Sequence, residues 1–213
     1  MRHLTNNKKE MKKIMFNDKY GLTTAVLEGR KTMTRRISED QIRNSVFCKS
    51  GYESIHGHEI KPKYEVGEIV AIAQSYKDVD RFHRKGKNAD YLEYLDSILP
   101  ELKLYPGWGN KMFVKADLMP HHIKITGIKV ERLQDISDED CLKEGIVKQE
   151  VISDESPFLY AYDAFLNGDN KYFASRWFKS PKEAFAALID KVSGKGVWES
   201  NPFVFCYEFV LVD

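Results

Sequence analysis

At 213 residues, with 42% hydrophobic and 12% aromatic side chains, the chain is long enough for one domain with embellishments and a sizeable core. The 33 Lys and Arg residues stand against 32 Asp and Glu, a formal net charge of +1, so no global field draws the protein to nucleic acid or an anionic membrane, and any such attraction is local. No apolar stretch reaches membrane-span length, no hydrophobic signal segment opens the chain, and Cys48, Cys141 and Cys206 show no paired spacing; a cytoplasmic protein with reduced thiols and no membrane partner is expected.

Residues 1–13 are polar and basic and read as a disordered leader to a single domain over 14–213, with Lys13–Phe16 as a short opening strand. Tyr20–Leu27 predicts a helix that Gly29 ends, since glycine accepts the left-handed backbone of a helix stop. Residues 38–63 are polar and irregular, a first insertion. Val66-Gly67-Glu68 leads into a strand, Ile69–Ser75, whose unbroken apolar run implies burial on both faces. A second insertion covers 77–110, with helical spacing over Asp90–Leu99 and a stop at Pro100.

Lys111–Lys115 and Ile123–Leu133 read as strands. Ser137-Asp138-Glu139-Asp140 is a capping-box pattern opening a short helix that ends at Gly145. A third insertion, rich in aromatics, covers 147–179. Ser180-Pro181 with Glu183 starts a helix through Val192 that stops at Gly194, and Phe203–Val212 is a strong β segment. Strands with intermittent helices and few βαβ units predict an α+β fold built round a small mixed or antiparallel barrel.

The densest chemistry lies in Gly29-Arg30-Lys31-Thr32-Met33-Thr34-Arg35-Arg36, where four cations share eight residues and Glu28 is the neighbouring acid. Guanidinium forks, an amine and threonine hydroxyls together suit a phosphate, a polarised carbonyl or a nucleobase edge; the same charges on a surface turn would merely face water. Tyr76 and Trp108 flank an insertion and are candidate base-stacking residues, whereas Trp198 beside Asn201-Pro202 reads as a packing anchor. Cys48, His56 and His58 match no zinc spacing, and no phosphate-cradling loop follows a strand, so neither a metal nor another cofactor is expected.

Four blocks in order carry a family resemblance: Ala25-Val26-Leu27-Glu28 with the basic run, Tyr64-Glu65-Val66-Gly67-Glu68, Met119-Pro120 through Ile123–Thr126 and Val130–Ile136 to Glu144-Gly145-Ile146, and Trp198-Glu199-Ser200-Asn201-Pro202-Phe203-Val204-Phe205. With them the chain resembles the ASCH family, domains with a PUA-like β-barrel, and most closely its longer form found in prophages and bacterial genomes. The resemblance brackets nearly the whole chain but not the three insertions. It implies a cleft lined by the basic run and the short acidic helix, and binding of RNA or modified nucleosides.

Some compact members are amidohydrolases that remove the acetyl group from acetylcytidine, using a lysine and a threonine of a G-x-K-x-x-T run and a glutamate on the short helix. The matching positions here are Lys31, Thr34 and Glu144. Two expectations follow. One is a module that binds RNA, DNA or a modified nucleoside through Arg30, Lys31, Thr32, Arg35, Arg36, Tyr76 and Trp108; the other is a hydrolase working through Lys31, Thr34 and Glu144. Where longer relatives carry an arginine–glutamate pair after the V-G-E lead-in, this chain has Ala73-Gln74, and Arg35-Arg36 suits phosphate contact at least as well as hydrolysis.

The chemistry is coherent on its own terms. Thr34 offers a nucleophilic hydroxyl, and Lys31 becomes a usable base if burial and neighbouring cations depress its pKa. Glu144 could orient that lysine. It sits at a helix C-terminus, where the macrodipole disfavours a carboxylate, a local rule broken; the plainer reading pairs it with Lys143 or Lys148 on the surface.

Overall fold

A computed structural model describes residues 10–37, 42–48, 51–54, 59–84, 106–153, 156–164 and 178–212, which adopt a mixed α+β fold. In chain order these hold β1 (Lys13–Ile14), α1 (Leu22–Leu27), β2 (Met33–Ile37), β3 (Ile42–Cys48), β4 (Gly51–Ser54), β5 (Glu59–Ile60), β6 (Ile69–Ile72) and α2 (Tyr76–Arg84). They continue with β7 (His122–Arg132), α3 (Asp138–Lys143), β8 (Val147–Ser153), β9 (Ser156–Asp163), α4 (Pro181–Ser193), α5 (Val197–Ser200) and β10 (Phe203–Leu211). A mixed sheet has the strand order β1-β6-β7-β10-β2; β3-β4-β5 and β8-β9 form separate antiparallel ladders, and no barrel closes among the described residues. The chain divides into two compact units, one of 1–16, 69–123 and 212–213, the other of 17–68 and 124–211. No helix among the described residues is long and apolar enough to cross a membrane.

In the first unit β1 pairs parallel with β6, Lys13 opposite Ala71 and Ile14 opposite Ile72. Val70, Ala71, Ile72 and Ala73 are wholly buried, as an apolar run covered on both faces requires. The strand ends earlier than the apolar pattern: Gln74 donates its backbone N–H to Met119 Sδ, and Ser75 Oγ accepts the Asp78 N–H at 3.2 Å, capping α2. Ala71, Ala73, Val114 and Met119 form a core cluster against which Tyr76 packs. Gly107 has φ +89°, and a Cβ there would stand 2.6 Å from the Tyr76 ring. The Tyr76 hydroxyl accepts the Lys115 N–H at 3.0 Å.

The strand expected over Lys111–Lys115 is instead a 3₁₀ turn, Lys111–Phe113, followed by a second at Ala116–Leu118. Asn110 is the cause: its side chain accepts the Met112 N–H at 3.0 Å and diverts the backbone from extended pairing. The helix expected over Asp90–Leu99 lies outside the described residues.

In the second unit α1 stops where expected, Gly29 adopting φ +73° with its N–H on Val26 O at 3.0 Å. β10 runs antiparallel to β2 in the register Thr34↔Tyr207, Arg35↔Cys206, Arg36↔Phe205, and Val204–Tyr207 are buried on both faces. Ser137 caps α3 by accepting the Asp140 N–H at 3.1 Å, and Ser180 caps α4 by accepting that of Glu183 at 3.1 Å. α4 buries Phe185, Leu188 and Ile189 of the apolar side the sequence displays, together with Ala184, whereas Val192 at its end is exposed. Two of the expected insertions hold β structure: β3–β5 lie within the one read as irregular, 38–63, and the β8–β9 hairpin, with Val147 opposite Asp163, within the aromatic-rich one, 147–179. Backbone ladders form there without the apolar alternation that a sequence signal depends on.

Candidate functional site

The site lies within the second unit, where the loop after α1, strand β2 and the C-terminus of α3 converge. Backbone hydrogen bonds fix the loop. Lys31 N donates to Ala25 O at 2.9 Å, Thr32 N to Lys143 O at 2.9 Å, and Phe209 N to Thr32 O at 2.9 Å. The middle bond straps the basic run to the end of α3, which brings together Lys31 and Glu144 across the sequence. Lys31 Nζ donates to Glu144 Oε2 at 2.5 Å and to the Glu144 backbone carbonyl at 2.8 Å. Their side chains are 2% and 5% exposed. The helix-end carboxylate is therefore compensated: one ammonium meets both its charge and an orphan carbonyl of the helix terminus.

Arg35 is an internal hub. Its Nε and Nη2 donate to Glu131 Oε1 at 2.8 and 2.6 Å, Nη2 also to Asp140 Oδ2 at 2.9 Å, and Nη1 to Glu144 Oε1 at 3.1 Å. With the side chain 1% exposed, its guanidinium is committed to three carboxylates rather than presented to a ligand phosphate. At the outer rim Lys129 Nζ, 47% exposed, bridges Asp140 Oδ2 at 2.8 Å and Glu131 Oε2 at 3.0 Å. The other cations differ. Arg30 is exposed and paired with Glu28 at 2.6 Å, and Arg36 is half-buried beside Tyr64, Tyr207 and Glu144.

Thr34 and Arg36 project from the opposite face of β2 to Met33 and Arg35, by the alternation of a strand. Thr34 is buried, faces Tyr207 across the ladder, and has no side-chain hydrogen-bond partner among the described residues. Tyr207 is itself fixed: its hydroxyl accepts the Lys63 N–H at 2.9 Å, and its ring packs edge-on to Tyr64 with centroids 5.2 Å apart. Thr32 is half-buried in the loop. Tyr76 and Trp108 belong to the first unit, where Tyr76 N donates to Gly107 O and Lys77 N to Trp108 O, and Tyr76 serves the core cluster.

Burial dominates the electrostatics and pushes the Lys31 ammonium below its ordinary pKa; Glu144 opposes this, while Arg36 and Arg35 add to it. Burial also lowers Arg36, against Tyr64, Glu144 and Tyr207. For Asp140 burial pulls upward, but the hydrogen bonds from Lys129 and Arg35 prevail and hold its carboxyl below the usual range. Burial pushes the Cys141 and Cys206 thiols up to about 12 and the Tyr64 phenol up to about 12. The result is a desolvated amine that gives up its proton more readily than a surface lysine and a carboxylate holding it; the Thr34 hydroxyl, three residues on in sequence, makes no hydrogen bond to either among the described residues.

Sequence reasoning missed Glu131, Lys129 and the inward role of Asp140. Asp140 reads as a capping acid and Glu131 as the polar phase of a strand; nothing local announces that Arg35, 105 and 96 residues away, gathers them. The Cys48, His56 and His58 side chains lie outside the described residues, among which no cluster of His, Cys, Asp or Glu could hold a metal ion. No protein family, curated protein or solved structure matches the chain.

Proposed function

We propose that residues 14–213 are an ASCH domain of PUA-like type whose Lys31–Thr34–Glu144 site binds a modified nucleoside and hydrolyses the N-acyl amide on its base. The observation that carries this reading is the buried contact of Lys31 Nζ with Glu144 Oε2 at 2.5 Å, the pair that the motif resemblance nominates. A surface phosphate-binding run would leave these groups in water; here burial lowers the proton affinity of Lys31, as a general base needs.

Thr34 Oγ attacks the acyl carbonyl carbon while Lys31 Nζ accepts the hydroxyl proton. The carbon–nitrogen bond breaks and the exocyclic nitrogen leaves as the amine, taking that proton from the Lys31 ammonium, which Glu144 stabilises. Water then attacks the acyl-threonine ester, giving one proton through Lys31 back to Thr34 Oγ and releasing the carboxylic acid. Arg36, on the Thr34 face of β2, supplies positive potential for the oxyanion.

The test is liquid-chromatographic assay of acetylcytidine and other N-acylated nucleosides. Wild type should release the free nucleoside and the acid, and Lys31→Ala and Glu144→Gln should lose on the order of a hundredfold or more. A folded wild type that turns over none of the panel overturns the hydrolase reading. Salt-sensitive RNA binding that Arg36→Ala weakens would then support a binding module, with phosphate contact falling to Arg30 and Arg36 because Arg35 is committed internally.

A further inference from the structure

We propose that Arg35 is the positioning residue of this site: anchored by Glu131 and Asp140, its guanidinium holds one oxygen of Glu144 so that the other faces Lys31. The inference takes its activity readout from the hydrolase reading above, but its geometry is independent of it. Glu144 caps a six-residue helix, and a carboxylate at such an end can turn about its own side-chain bonds. Here each oxygen has a separate cationic partner, Oε1 with Arg35 Nη1 at 3.1 Å and Oε2 with Lys31 Nζ at 2.5 Å. The first partner cannot drift, because its remaining nitrogens are held by Glu131 from β7 and Asp140 from α3 at 2.6–2.9 Å. A planar fork satisfies three acceptors at fixed angles, and a lysine point charge does not.

Arg35 does not touch substrate in this arrangement. It extends from the β2 face opposite Thr34, with Cys206 across the ladder, so its influence passes through Glu144. A buried ion cluster is a weak source of stability, which makes positioning a better account of three inward carboxylates than strength alone. Loss of the guanidinium would free both Glu144 oxygens for Lys31, strengthening the proton on the lysine and weakening it as a base. The charged groups facing Lys31 are Glu144, Arg36 and Arg35; the charged and titratable groups facing Arg35 are Glu144, Glu131, Asp140, Lys31 and the Cys206 and Cys141 thiols, with Lys129 at the rim. Arg35 and Lys31 share Glu144, so a change in how Arg35 holds that carboxylate is felt by the lysine.

Arg35→Lys is the variant to make, with two readouts. The Lys31 Cε NMR resonance, assigned by its loss in Lys31→Met, should titrate about one pH unit or more higher than in wild type. Acetylcytidine turnover should lose about tenfold or more in kcat with KM within about twofold, its acid limb moving to higher pH in step with the resonance. Should Arg35→Lys fail to unfold cooperatively, the charge-balanced double variant Arg35→Gln/Glu131→Gln replaces it with the same expectation. A folded variant of either kind whose Lys31 titration and pH profile match wild type overturns the proposal and leaves Arg35 a packing residue. A wild type without hydrolase activity, together with a displaced Lys31 titration in the variant, overturns the hydrolase reading and retains the positioning role.

Discussion

Lys31→Met tests whether the buried amine is held below its ordinary pKa or is a strong salt bridge. The replacement is near in shape and removes two donated hydrogen bonds, to Glu144 Oε2 and to its backbone carbonyl. Breaking a buried ion pair by deleting one partner costs about 3–5 kcal/mol when the survivor is left uncompensated. Two features reduce that here. Glu144 keeps Arg35 on its other oxygen, and the desolvation of the ammonium disappears with it. A net loss of about 1–3 kcal/mol near neutral pH is therefore expected.

The pH dependence is sharper. A lysine whose folded pKa lies below its unfolded value, near 10.5, leaves the native state with fewer bound protons than the unfolded state over the interval between them. Wild-type stability should then rise relative to Lys31→Met as pH climbs through that interval, by up to about 1.4 kcal/mol for each pH unit of lowering. Urea unfolding of both proteins at a series of alkaline pH values measures this. Taking the difference between the two cancels Cys141, Cys206 and Tyr64, whose raised values cost stability in the same range. A difference that shrinks as pH rises would mean that the ion pair raises Lys31, and the argument for a desolvated base would fail.

Thr34→Val should abolish turnover yet change unfolding stability by no more than about 0.5 kcal/mol, because the hydroxyl has no partner to lose among the described residues; a large drop in melting temperature would reveal a structural hydroxyl. In a Cys48→Ser background, Cys141 and Cys206, both buried with pKa values near 12, should resist a thiol-specific chromogenic reagent until urea unfolds the chain. Rapid labelling of the native protein would contradict that burial. Gly107→Ala should cost about 1–3 kcal/mol, since φ +89° and a contact 2.6 Å from the Tyr76 ring leave no room for a Cβ. Equal urea midpoints for this variant and wild type would show that the turn relaxes freely.

Elements with local causes were legible in the sequence. Ser137 and Ser180 cap the helices they announce, Gly29 stops α1, and the apolar run is buried at Val70–Ala73, although Ile69, expected to be buried with it, is exposed. What resisted reading depends on partners far along the chain. β8 and β9 pair Lys148 with Tyr162 and Glu150 with Tyr160, a ladder held by backbone groups and blind to hydropathy. The 3₁₀ turn at Lys111–Phe113 hangs on one Asn110 side chain within an otherwise strand-like stretch.

The site divides in the same way. Lys31, Thr34 and Glu144 were nominated by motif resemblance, and no spacing rule joins residues 113 positions apart. Arg35 reads as a phosphate ligand because a guanidinium beside Arg36 in a basic run looks solvent-facing. Strand alternation turns it inward, where Glu131 and Asp140 are waiting.

The most direct measurement is the rate of cytidine and acetate release from acetylcytidine by wild type, Lys31→Met and Thr34→Val side by side, each first verified as folded. The account predicts stoichiometric release by wild type alone, with both variants reduced on the order of a hundredfold or more. Release that persists in folded Thr34→Val and Lys31→Met, or none by folded wild type, would contradict it.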